Sequence, residues 1–164
     1  MKFLKNVFSQ LHTFLLWALA SFLIWSWIFT FVNDAPAAQK VTVYCNVPAI
    51  EDTALAVKLE EHLPEGLKMI QVRSFDYVMF DTGTIDEGDI FILPQSAIED
   101  YDGQFSPIAG QEGTLIYDPE TGQGAAMSYI IYGDEPYYLF LGTGSVHLED
   151  GLAQQIAQLL LTLP

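Results

Sequence analysis

Residues 14 to 32, FLLWALASFLIWSWIFTFV, are nineteen positions without a charge, and the uncharged run reaches back to Asn6. As a helix rising about 1.5 Å per residue, nineteen positions span roughly 29 Å, the thickness of a bilayer's hydrocarbon core. The run reads as one transmembrane helix, with membrane contact over residues 11–32. Trp17, Trp25 and Trp27 supply amphipathic rings, the last two near one end, where an aromatic belt sits. Lys2 and Lys5 precede the span and Asp34 follows it, so the positive-inside tendency places the N-terminus in the cytoplasm and everything beyond outside. A cleaved signal peptide is the rival reading, with Ala35-Pro36-Ala37 as its small-residue site. It fits less well, because the apolar run exceeds the roughly 7 to 15 residues of a signal core and a proline occupies the site.

The span divides the chain into a cytoplasmic N-terminus and transmembrane helix (1–33), a linker (34–40) and an extracytoplasmic domain (41–164). The linker is too short to carry that domain far from the bilayer. Of the 164 residues, 51 % are hydrophobic, material for one small domain besides the span. All 21 Asp and Glu lie from Asp34 onward against four Lys and Arg there, a charge of −17, and no basic residue follows Arg73. Nucleic acid, which demands a basic patch, is excluded as a partner, and anionic lipid headgroups are a poor one. The lone cysteine, Cys45, has no intramolecular disulfide partner and sits in a strand pattern, where a thiol behaves as a small buried hydrophobe.

Within the domain, VTVYCNV (41–47) is a β-branched and aromatic run closed by Pro48, and reads as a strand. Glu51 and Asp52 open a helical pattern carrying Leu55, Leu59 and Leu63 before Pro64-Glu65-Gly66 stops it. Leu67 to Val72 alternates as a second strand, and Asp89 to Leu93 is a third, apolar enough to be buried on both faces. A short helix follows over 96–101. Farther on, 114–117 and 125–132 read as a hairpin around Asp118-Pro119-Glu120-Thr121-Gly122, 137–141 as another strand. Leu152, Ile156, Leu159, Leu160 and Leu163 share one face of a final helix. The fold class is therefore α/β: a single-pass helix, then one small three-layer-like domain with a partly parallel sheet and a C-terminal hairpin and helix.

The run DIFILPQSAIEDYDGQFSPI resembles a segment of the extracytoplasmic solute-binding proteins of ABC importers. There a buried strand ends near a proline, a short helix follows, and a loop carries a G-x-[FL]-x-P-[IL] phrase, here Gly103 to Ile108. The strand and helix of residues 41–63 are similar to the opening βαβ unit of the same proteins, so the resemblance covers about residues 41–108. Those receptors close two lobes around a ligand, and this chain has length for one. The resemblance implies a single-lobe, membrane-tethered relative serving as accessory to a transporter or another membrane complex.

Ligands of a parallel sheet collect outside the carboxyl ends of its strands. Those ends are Asn46, then Ser74 and Asp76, then Gln95 and Ser96, and they form the expected ligand-binding site. No catalytic constellation accompanies them. His12, His62 and His147 have no metal spacing, and Ser145-x-His147 lacks a visible orienting acid, so it reads as a polar loop. Gly142-Thr143-Gly144 lacks the third glycine of a dinucleotide loop and reads as a turn. The acids Asp81, Asp86, Glu87 and Asp89, Asp118 with Glu120, and Asp134 with Glu135 do not follow the EF-hand order and read as a solvated face. Phe75, Tyr77, Phe80, Tyr137 and Tyr138 read as core. No cofactor, metal or enzymatic activity is expected. The expected function is a membrane-anchored, solute-binding-like module; the alternative is a structural or protein-interaction domain without a small-molecule ligand.

Overall fold

The β-branched residues that open the domain alternate as a strand requires. In β1 (Lys40–Cys45), Val41, Val43 and Cys45 turn to one face with no exposure, while Lys40, Thr42 and Tyr44 turn to the other. A computed structural model of the chain describes residues 2–33, 35–75, 87–100, 108 and 110–164, with residues 2–9 and 30–33 entering through their backbone alone. It divides into two units, Met1–Ala35 and Pro36–Pro164. The first is the helix α1 (Lys2–Asn33), within which Gln10–Phe29 is long and apolar enough to cross a membrane.

In the second unit, β1 is flanked by β3 (Met69–Ser74) and β4 (Ile90–Pro94), both parallel to it. The crossover from β1 to β3 is α2 (Asp52–Glu60), which drives Leu55 and Leu59 into the core. Asp52 in its first turn and Lys58 in its last complement the helix dipole. The helix ends three residues before Leu63, because its last amides tighten to i−3 acceptors: His62 N donates to the Leu59 carbonyl and Leu63 N to that of Glu60.

Beyond β4 the sheet turns antiparallel. The strand β8 (Tyr137–Leu141) pairs with β4, β5 (Thr114–Asp118) with β8, and β6 (Gln123–Gly124) with β5, giving the order β3-β1-β4-β8-β5-β6. The expected hairpin arm over 125–132 is broken. After Gly124 the chain turns through Ala126 at φ 54°, and the Ala126 amide donates to the Leu163 carbonyl. Only Ile130–Ile131 is a strand, β7, and it pairs antiparallel with β2 (Ala49–Ile50) in a separate two-stranded sheet. The C-terminal α3 (Leu152–Thr162) buries Ala153, Ile156, Ala157 and Leu160.

Both α2 and α3 cover one face of the sheet, meeting Val41, Val43, Ile70, Ile90, Ile92 and Leu139. On the opposite face Tyr44, Phe75, Phe91, Leu93, Ile108 and Phe140 form a second cluster, joined by Ala97 and Ile98 of the short helical turn after β4. Tyr44 and Phe91 stack with ring centroids 5.7 Å apart. The loop around residue 83, Tyr77, Phe80, Asp81, Asp86 and the 103–107 part of the Gly-Pro phrase lie outside the described residues.

Candidate functional site

The aromatic cluster centres on Phe91 and Leu93 of β4 and reaches β1 through Tyr44. Toward the start of β1 and β3 the same face is concave, a hollow of about 290 Å³. Period-two alternation supplies its floor: Lys40, Thr42 and Tyr44 from β1, Gln71 and Arg73 from β3. The register sets Thr42 beside Gln71 and Tyr44 beside Arg73. Glu87 and Asp89 form one wall ahead of β4, and Gly144 and Val146, from the loop after β8, close it.

That wall is a buried polar network. Asp89, only 3 % exposed, accepts from the Thr42 amide at 2.7 Å and from Ser145 Oγ at 2.5 Å. Ser145 Oγ in turn accepts from the His147 amide at 3.0 Å. The His147 ring, 1 % exposed, places Nδ1 2.9 Å from Asp150 Oδ2 and Nε2 3.1 Å from the Ala37 carbonyl and 3.2 Å from that of Lys40. Carbonyls only accept, so Nε2 carries a proton; a carboxylate opposite Nδ1 then favours a second. Burial opposes the imidazolium, but the Asp150 carboxylate, the Ala37 carbonyl and the nearby Asp89 charge outweigh it and hold the pKa above the ordinary histidine value. For Asp89, burial dominates and raises the carboxyl pKa, against the Ser145 and Thr42 hydrogen bonds and the His147 charge. Asp150 uses its other oxygen on the Leu152 amide at 2.9 Å, joining His147 to the start of α3, and the His147 hydrogen bond first, then that amide, pull its pKa down.

The expectation that no acid orients Ser145-x-His147 is thus corrected: Asp150 and Asp89 both serve the pair. They do not make a nucleophile. Ser145 Oγ bonds Asp89 and a backbone amide, while the imidazole faces carbonyls and Asp150, so serine and ring share no hydrogen bond. The network instead fastens residues 37–40 to the loop that closes the hollow.

A close backbone approach shapes the same corner. A Cβ on Gly142 would lie 1.9 Å from the Gly88 carbonyl oxygen, so only glycine lets the chain leave β8 there. The Ser145 amide donates to the Gly142 carbonyl, making Gly142-Thr143-Gly144 the expected turn.

Of the expected strand-end residues, Asn46 and Ser74 lie together, since Cys45 is in register with Ser74 and the Asn46 amide donates to the Ile92 carbonyl. Gln95 and Ser96 run past them: the Gln95 amide donates to the Pro136 carbonyl, and the Ser96 amide and hydroxyl both donate to Glu135 at 2.8 and 2.9 Å. Asp76 lies outside the described residues. None of the four described residues lines the hollow. Asp118 binds the Glu120 amide and the Thr121 hydroxyl, a turn-forming role for one of the acidic groups. Cys45 is fully buried, and burial pushes its thiol pKa far up.

Two further hollows, about 370 and 500 Å³, flank α3 and the β5–β6 turn; among the described residues His62 lines the first and Asp118 the second. Of these three hollows, the one at Lys40 and Arg73 has the most charged lining, two cations and the two acids Glu87 and Asp89. No protein-family model matches the chain, and no curated protein or solved structure is significantly similar to it.

Proposed function

We propose that the chain is a membrane-anchored, extracytoplasmic module that holds a small solute and serves as accessory to a transporter or another membrane complex, in the manner of one lobe of a solute-binding protein. The observation that carries this reading is the hollow over β1 and β3, lined by Lys40, Thr42, Gln71, Arg73, Glu87 and Asp89, with a volume near the lower end, roughly 300 Å³, of small-molecule sites. Its walls are held by hydrogen bonds that need no ligand, the pre-organisation a binding site requires. The apolar segment Gln10–Phe29 supports the anchor, and Lys2 and Lys5 before it support a cytoplasmic N-terminus.

Native mass spectrometry of the intact chain in mild detergent tests the reading. A small-molecule adduct that disappears in Gln71→Trp, which fills the hollow, supports it. A stoichiometric membrane-protein partner without any adduct favours the alternative, a protein-interaction domain.

A further inference from the structure

With Asp150 ionised, the hydrogen bonds of the buried His147 ring are all satisfied in one protonation state only. Nε2 faces two backbone carbonyls, of Ala37 at 3.1 Å and of Lys40 at 3.2 Å, and Nδ1 faces Asp150 Oδ2 at 2.9 Å. Each of these oxygens is an acceptor, so both nitrogens must carry a proton, and either neutral tautomer turns a lone pair onto an oxygen. The geometry points to a latch worked by one proton: the imidazolium ties residues 37–40 to the 144–150 loop and the start of α3, and loss of that proton releases the loop while the ring stays with the carbonyls.

Which contact yields is set by what holds each acceptor. The carbonyls are backbone, Lys40 being the first residue of β1 and in register with Met69 of β3. The Asp150 side chain is 46 % exposed, so its carboxylate can swing into water. The neutral ring then keeps its proton on Nε2. Asp150 Oδ1 accepts from the Leu152 amide, and the Ala153 amide donates to the His147 carbonyl, so the swing loosens the first turn of α3. Gly144 and Val146, which close the hollow, lie on the same loop.

The charges that face the ring favour the closed state. Asp150 is bonded to it, and Asp89, ahead of β4, adds its charge without a bond to the ring, since its own oxygens serve Thr42 and Ser145. β1 brings Lys40, whose side chain lines the hollow, and α3 carries no ionisable side chain. Burial opposes the imidazolium, but the Asp150 and Ala37 hydrogen bonds and the Asp89 charge outweigh it and raise its pKa. The latch therefore opens only as pH rises past the ordinary histidine value of about 6.5.

The test is amide hydrogen exchange of the full chain in phosphatidylcholine nanodiscs, corrected for the intrinsic rate at each pH, beside an NMR titration of the His147 ring. Between about pH 5.5 and about pH 8.5, either side of the ordinary histidine value, protection at residues 144–153 is expected to fall about tenfold, the scale of one charge-assisted hydrogen bond. The fall should share the midpoint of the ring titration, and β1 should keep its protection. Asp150→Asn should hold the latch shut across the range, because its amide can donate to Nδ1 of a neutral ring while Nε2 still serves the carbonyls. A ring that titrates while protection at 144–153 stays flat overturns the inference, as does a ring that does not titrate in this range. So does a fall shared equally by β1, which marks general destabilisation, or one that persists unchanged in Asp150→Asn.

Discussion

His147 Nδ1 lies 2.9 Å from Asp150 Oδ2, with the ring buried and its other nitrogen against the carbonyls of Ala37 and Lys40. A histidine pKa raised on folding contributes stability fully present below the unfolded value of about 6.5 and lost as pH rises through the folded pKa. Asp150, with its pKa lowered, contributes above about 3.9, and that part is lost as pH falls through its folded pKa. Thermal unfolding should therefore show a melting temperature that declines as pH climbs past about 6.5. The ring protons of His147 should titrate above the ordinary histidine midpoint by NMR, and Asp150→Asn should lower that midpoint and flatten the decline. A midpoint unmoved by Asp150→Asn would separate the two residues.

The Gly88–Gly142 approach predicts a sharp contrast between two glycines. Gly142→Ala forces a Cβ into a backbone oxygen and should cost about 3 kcal/mol or more. Gly122→Ala meets nothing within 4 Å and pays only for its φ of 65°, about 1 kcal/mol. Chemical denaturation of the two variants measures the difference.

The wall of the hollow should be costly to alter where it is buried and cheap where it is wet. Phe91→Ala, in the aromatic cluster beside the hollow and with no exposure, should cost about 3 to 5 kcal/mol. Asp89→Asn turns an amide donor toward the Thr42 N–H or the Ser145 hydroxyl, a mismatch worth about 1 to 3 kcal/mol. Glu87→Gln at the exposed rim should stay within roughly 0.5 kcal/mol. Equal effects for Asp89 and Glu87 would contradict this division.

Orientation is tested with cysteines introduced into the intact chain, since the native Cys45 is buried and silent to an impermeant reagent. On intact cells, Glu120→Cys in the exposed β5–β6 turn should be labelled by an impermeant maleimide, and Asn6→Cys only after lysis. The reverse pattern would invert the topology.

Much of the scaffold was legible because its signals are local. Alternation in Val41 and Val43, the apolar run at Asp89–Leu93 and the spacing of Leu152, Ile156 and Leu160 each depend on a few neighbouring residues, and β1, β4 and α3 follow them closely. The hairpin arm failed where a distant partner intervened, the Leu163 carbonyl drawing Ala126 out of strand geometry. The site was half legible. Alternation alone puts Lys40, Thr42 and Tyr44 on one face, and the scarcity of cations makes Lys40 and Arg73 conspicuous. What closes the hollow, however, is the turn after Gly142 meeting β1 through Asp89, a contact between segments 47 and 56 residues apart that no spacing announces. The rule that ligands gather at strand ends pointed to Asn46, Ser74, Asp76, Gln95 and Ser96; of these Gln95 and Ser96 are engaged by the segment 135–136, and Asp76 lies outside the described residues.

The central claim is that a small solute occupies the face of β1 and β3 between Lys40 and Arg73. Amide NMR of the full chain in nanodiscs, titrated with a low-molecular-weight metabolite extract, tests it directly. The account predicts shifts concentrated at residues 40–44, 71–73 and 144–146, absent in Gln71→Trp. Shifts concentrated instead at Asn46, Ser74, Gln95 and Ser96, or none at all, would contradict it.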